Sequence, residues 1–166
     1  MKTLYLLRHA HAVDANSKIR DFERYLTEKG EDCAKLMGTR LKKLKLKPDL
    51  ILSSPASRAI DTAIVIAGQI GYPLDKIAYD KQIYEAGTET LLKLIHGLDN
   101  ANSTVLMCGH NPSFSDIMIY FGSNDILEEL PKCGIAGFSF NVDSWKKIKK
   151  DGGKGILFET PKMQKR

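Results

Sequence analysis

The chain has 166 residues, 43% of them apolar, and a net charge of 25 − 20 = +5. That length and apolar share exclude a disordered segment and predict a single compact domain over residues 1–166. No apolar run of about eighteen residues is present to span a bilayer, and the run ending at Arg8 is too short for a signal peptide, so a cytoplasmic protein is expected.

In chain order, the apolar run Leu4-Tyr5-Leu6-Leu7 ends in a charged loop and reads as a buried strand. Thr27 caps a helix from about Glu28 to Leu44, with Ala34, Met37 and Leu41 at helical spacing. Pro48 precedes a second strand, Leu50-Ile51-Leu52. Ser54-Pro55 has the form of a helix start, and that helix runs to about Ile70, ended by Gly71. Ala59, Ala63, Ile66, Ala67 and Ile70 give it a stripe of mostly small residues for close packing on a sheet. An extended segment follows from about Lys76 to Tyr84, then a helix capped by Thr88 over about Glu89 to Leu98. Thr104 to Cys108 is a third strand, and Asn111-Pro112 opens a helix from Pro112 to Phe121. Two last strands, Gly134 to Asn141 and Gly155 to Thr160, flank a connection with Lys146, Lys147, Lys149 and Lys150 and the turn signal Gly152-Gly153. Strand–helix alternation implies an α/β layer fold with a mainly parallel sheet.

Polar residues gather where these strands end. Arg8-His9 follows the first, Ser53-Ser54 and Arg58 the second, and Gly109-His110-Asn111 the third. Ligands of open α/β sheets bind beyond the carboxyl ends of strands, so two arginines and two histidines are expected at one edge. An imidazole is a competent nucleophile near neutral pH and forms covalent intermediates with phosphoryl groups. Guanidinium groups match phosphoryl oxygens with paired donors, and a protonated second histidine adds another. The N-terminus of the helix bearing Arg58 favours anions as well. Phosphoryl transfer needs mainly positioning and charge stabilisation, so this set requires no metal and no cofactor.

At these residues the chain resembles the histidine phosphatase superfamily, which includes the phosphoglycerate mutases. Leu7-Arg8-His9-Ala10 is similar to its Arg-His-Gly signature, with alanine in place of the glycine. The segment from Ser53 to Ala63 resembles the second signature, Cys108 to Pro112 the third, and Tyr25 to Gly30 the family's Leu-Thr-x-x-Gly helix start. The matches follow the family order from about residue 3 to 121. The resemblance implies a three-layer α/β/α sandwich whose mostly parallel six-stranded sheet has one antiparallel strand. It also implies that His9 accepts the phosphoryl group while Arg8, Arg58 and His110 bind it. Glu85 sits where the family often has its proton donor; burial in such a pocket raises a carboxyl pKa toward what an acid needs. Glu85 reads equally as plain surface charge, and Glu89, the other carboxylate nearby, as a first-turn helix charge. Only about fifty residues separate Arg58 from His110, too few for the lid insertion of larger members. In this the chain is similar to the compact SixA-type phosphohistidine phosphatases. The implied substrate is a phosphorylated protein such as a phosphotransfer domain, or else a small phosphorylated metabolite.

Other readings compete. His9, His11, His110 and Asp14 are a conceivable metal set, which the two arginines would oppose. A non-catalytic phosphate-binding module would not need all of Arg8, His9, Arg58 and His110. The lysines at 42, 43, 45 and 47 read as a solvated face rather than a nucleic-acid site, for no aromatic-rich basic motif accompanies them. Cys33, Cys108 and Cys133 read as reduced thiols in or near the core, without a CxxC pair. None has arginine six positions on, as a cysteine phosphatase would; Thr39, Phe114 and Ser139 stand there. His96 reads as structural and His11 as exposed loop, while Asp21 and Arg24 either touch a phosphate or pair with each other.

Overall fold

The computed structural model describes residues 1–122 and 129–162. Six strands form one sheet: β1 (Lys2–Arg8), β2 (Leu50–Ser53), β3 (Ala78–Tyr79), β4 (Thr104–Gly109), β5 (Ile135–Phe140) and β6 (Gly153–Glu159). Their order is β3-β2-β4-β1-β5-β6. The pairs from β3 through to β1 are parallel, whereas β5 is antiparallel to both β1 and β6. Thus β5 alone runs against the rest, and the sheet is mostly parallel.

Four helices cover it: α1 (Glu28–Lys43), α2 (Ser57–Ile70), α3 (Thr88–His96) and α4 (Ser113–Phe121). Alternate side chains of the central strands point to opposite faces. Leu4, Leu6, Val105 and Met107 meet Leu91 and Ile95 of α3 and Phe114, Ile117 and Phe121 of α4. Leu7, Leu106 and Cys108 meet Met37 and Leu41 of α1 and Ala59, Ala63 and Ile66 of α2. Both faces are buried, which is why the strands read as continuous apolar runs. The result is the three-layer α/β/α arrangement. No helix among the described residues is long and apolar enough to cross a membrane.

Three local expectations change. Helix α2 begins at Ser57, not at Ser54-Pro55, and its N-cap Ala56 makes no side-chain cap bond. Ser54 Oγ does accept from Ala56 N–H, but it also bonds His110, so the hydroxyl serves the strand-end loop. Thr88 is the first residue of α3 behind an N-cap at Gly87. The segment from Lys76 to Tyr84 is not one extended stretch: short 3-10 turns at Leu74–Lys76 and Lys81–Ile83 flank the two-residue β3.

The start of α1 follows the sequence closely. Thr27 Oγ1 accepts from Gly30 N–H, and Thr27 N–H donates to His11 O. A Cβ on Gly30 would stand 2.0 Å from His11 O, so the glycine is required by a backbone approach. The Leu-Thr-x-x-Gly segment therefore clamps the loop that leaves His9.

Candidate active site

Strands β2, β4 and β1 are neighbours, and their carboxyl ends lie in register: Arg8 opposite Gly109, Ser53 opposite Cys108. Beyond them His9 N–H donates to Gly109 O and Ser54 N–H to Cys108 O. The ladder thus continues one residue into each loop and fixes where the polar side chains emerge. Ala10 is fully buried, and its N–H donates to Thr62 Oγ1, whose own hydroxyl donates to Arg58 O. The methyl that replaces the family's glycine packs into the apolar cluster beneath α2. Gly109 has no such room, because a Cβ there would stand 2.6 Å from Phe114 Cζ.

His9 is 6% exposed. Its Nδ1 lies 2.8 Å from Ala10 O, an atom that only accepts, so Nδ1 carries the ring proton. Nε2 therefore presents a lone pair, and Arg58 Nε donates to it across 3.3 Å. Burial first, then His110, Arg58 and Arg8, push the His9 pKa down to about 3 against the pull of the Ala10 bond. The imidazole is neutral at neutral pH, and its Nε2 electron pair, which accepts from Arg58 Nε, faces a cationic site.

The guanidinium of Arg58 is almost wholly engaged. Nη1 donates to Asp21 O at 2.7 Å and Nη2 to Asp21 Oδ2 at 3.2 Å. Tyr84 OH donates to the same Oδ2 at 2.6 Å, and Arg24 Nη1 bonds Oδ1 at 3.2 Å. The Tyr84 bond, with help from Arg24 and Arg58, holds the Asp21 carboxyl down at about 2. Burial and the Asp21 bond push the Tyr84 phenol up to about 12.

His110 lies beside His9 with ring centroids 5.2 Å apart, and its Nε2 is 2.8 Å from Ser54 Oγ. Burial, then Arg58, lowers its pKa to about 4. At neutral pH this ring is therefore neutral and donates from one nitrogen rather than from two. Arg8 Nη1 donates to Leu130 O. Arg8 acts electrostatically on both imidazoles. Among the described residues, two buried nitrogens, Arg8 Nε and His110 Nδ1, have no hydrogen-bond partner. An arginine N–H is a donor that an oxyanion satisfies.

The structure thus brings together Arg8, His9, Arg58 and His110, but not Glu85 in the same way. Glu85 is exposed, and it is near enough to Tyr84 for its charge to act on the phenol. His11 is half-buried rather than exposed loop, because its Nδ1 pairs with Thr27 Oγ1. His96 is structural, bonding Ile148 O. No metal-holding group of three or more His, Cys, Asp or Glu is assembled among the described residues, so the set His9, His11, His110 and Asp14 is not gathered. All three cysteines are free thiols; Cys108 and Cys133 are buried and their pKa values are raised by burial. Asp21 and Arg24 do pair, but Asp21 also binds Arg58. Ser54, which the sequence places at a strand end without a role, and Tyr84 join the site as well. For Ser54 the signal was its place directly after a strand; for Tyr84 there was none, since its partner Asp21 is remote in sequence.

Comparison with known proteins follows the same lines. Residues 4–89 match the histidine phosphatase superfamily (branch 1). An uncharacterized protein of Picosynechococcus is 31% identical over 137 residues, covering 81% of this chain and 82% of its own. The crystal structure of a putative phosphohistidine phosphatase SixA from Agrobacterium tumefaciens superposes with a TM-score of 0.81 at 30% identity, over 96% of this chain and 98% of that one. A second putative SixA, from Nakamurella multipartitia, gives 0.82 at 25% identity over 96% of each chain. With its signature residues gathered at one end of the sheet and these relatives along nearly its whole length, the chain belongs to the histidine phosphatase superfamily, branch 1.

Proposed function

We propose that this phosphatase acts on phosphohistidine carried by another protein, such as a phosphotransfer domain, through a phosphorylated His9. The observation that carries the reading is the lone pair of His9 Nε2, set by the Ala10 bond and faced by Arg58 Nε. In the first step Nε2 attacks phosphorus and the bond to the substrate nitrogen breaks. Arg8, Arg58 and His110 bind the phosphoryl oxygens, whose charge they stabilise. Arg8 Nε and His110 Nδ1 supply hydrogen-bonding capacity that no described residue uses. In the second step water attacks the phosphohistidine, releasing phosphate and restoring His9. No step calls for a metal.

A protein substrate is favoured by the short path from Arg58 to His110, which between α2 and β4 holds only the 3-10 turns, β3 and α3. The similarity to a putative SixA matched over 98% of its own chain supports it. Glu85, exposed at the Tyr84 turn, is the proton donor for ester substrates. A phosphoramidate needs no such donor, because its nitrogen leaves readily.

The test is phosphate release from a phosphohistidine-bearing phosphotransfer domain beside a panel of small phosphate esters, with EDTA and His9→Ala as controls. We expect release from the protein, unchanged by EDTA and abolished in His9→Ala, with a phosphate analogue still bound by the variant. Release from one ester alone would assign the same chemistry to a metabolite, and turnover by His9→Ala would remove His9 as nucleophile.

A further inference from the structure

The ion pair between Asp21 and Arg58 has no part in the two steps above, yet the Asp21 carboxylate occupies one terminal nitrogen of a phosphate-binding arginine and the Asp21 carbonyl the other. We propose that Asp21 is a specificity-determining residue that favours phosphorylated nitrogen over phosphorylated oxygen at this site. The inference rests on the reading of the pocket as a phosphohistidine phosphatase site.

The arrangement is directional. His9 is buried, and Arg58 Nε touches its nucleophilic nitrogen. The terminal nitrogens of Arg58 extend from there to Asp21. The Arg58 side chain is 8% exposed and that of Asp21 52%, so the carboxylate stands at the outer end of the guanidinium. In-line displacement places the leaving group on the side of phosphorus opposite His9. From a buried nucleophile, that is the outward side. Asp21 is thus a fixed negative charge near the departing group, while Arg58 Nε, which donates to His9 Nε2 in the free site, is released to the phosphoryl oxygens when that lone pair bonds phosphorus.

Asp21 is also held in place. Its carboxylate is bonded by Tyr84 and Arg24 as well as by Arg58. Tyr84 in turn packs edge-on against Phe22 and His110, with centroids 5.0 and 5.7 Å apart. Its carboxyl pKa of about 2 keeps it an anion throughout the neutral range.

A fixed anion acts oppositely on the two leaving-group classes. A phosphorylated imidazole reacts as its cation, protonated on the ring nitrogen remote from phosphorus. As the new His9 Nε2–P bond forms, the N–P pair returns to the substrate ring, which departs as neutral imidazole still carrying that proton. The cationic reactant is attracted by Asp21 and its remote N–H can donate to the carboxylate. An ester oxygen instead gains negative charge as it leaves, and Asp21 opposes that charge. Asp21 also offsets part of the Arg58 charge that would otherwise attract dianionic esters.

The experiment compares kcat/KM for N-phosphoimidazole and for p-nitrophenyl phosphate in the wild type, Asp21→Asn and Asp21→Ser. Asparagine preserves the volume, and the Tm of each variant reports folding. The ratio of the two kcat/KM values, phosphoimidazole over ester, is expected to fall at least tenfold in both variants, with the ester constant or faster. A purely structural role would lower both substrates by the same factor, and that result, or a larger loss on the ester, overturns the proposal. If neither variant folds, the wild type decides through a series of aryl phosphates: rates that fall more steeply with leaving-group pKa at low salt than at high salt support a fixed anion near the leaving oxygen, and salt-independent slopes overturn it. A wild type inert toward phosphoimidazole and phosphoprotein alike would instead overturn the functional reading itself.

Discussion

At the residue scale, the chemistry turns on which nitrogen of His9 holds a proton. Ala10 O accepts from Nδ1, so Nε2 stays open, and burial keeps the ring neutral. We expect nitrogen NMR of His9 to show an unprotonated Nε2 from pH 5 to 8 in the free enzyme; a ring titrating near 6.5 would contradict this. Glu85 leads to a second expectation. Because it is exposed, Glu85→Gln should slow alkyl and aryl ester hydrolysis about tenfold while leaving phosphohistidine turnover within about threefold. Equal losses on both substrates in steady-state assays would assign it another role. At this scale Arg8, His9 and His110 were legible because they stand at the very end of a strand or directly after it, and Arg58 because it opens the helix that follows one. Asp21 was legible only as a partner of Arg24, and Tyr84 not at all, because the bonds of Asp21 to Arg58 and to Tyr84 join segments far apart in sequence.

At the element scale, the clamp between α1 and the His9 loop links stability to activity. His11 O, two residues after His9, receives Thr27 N–H and abuts Gly30. A methyl on Gly30 meets backbone, which cannot yield by a rotamer change. Gly30→Ala should therefore cost about 2 kcal/mol or more in chemical denaturation and lower kcat severalfold by displacing the loop. An unchanged denaturation midpoint would show that the loop can give way. Thr27 as cap and Gly71 as terminator, in the left-handed region at φ 80°, were readable because local geometry alone demands them. The start of α2 was misread at Ser54-Pro55 for the opposite reason: a serine before proline is a sound local cap, but Ser54 Oγ bonds His110 across the sheet.

At the scale of the whole molecule, burying two imidazoles ties stability to pH. The folded pKa values of His9 and His110, about 3 and about 4, lie below the unfolded value near 6.5. Between those limits the unfolded chain binds protons that the native state refuses, so stability falls as pH drops from about 6.5 toward 4. Asp21 adds a lower window: its folded pKa of about 2 means that its contribution is whole above the unfolded carboxylate range and is lost as pH falls toward 2. The Tm should fall by at least ~5 °C between pH 7 and pH 4.5, and His9→Asn should shrink that difference. A Tm independent of pH over this range would mean that the imidazoles protonate inside the fold.

The sequence by itself determined the layered α/β class, most helix ends and the four signature residues, because apolar periodicity, caps and strand-end motifs are local properties written in adjacent residues. Tertiary structure alone decided that β2, β4 and β1 are neighbours, that His110 is neutral, that Glu85 is exposed and that Asp21 closes on Arg58. Strand order, burial and the pairing of charges from separate loops depend on where distant segments come to lie. Desolvation and electrostatic coupling act across that space, and no local pattern in the chain records them.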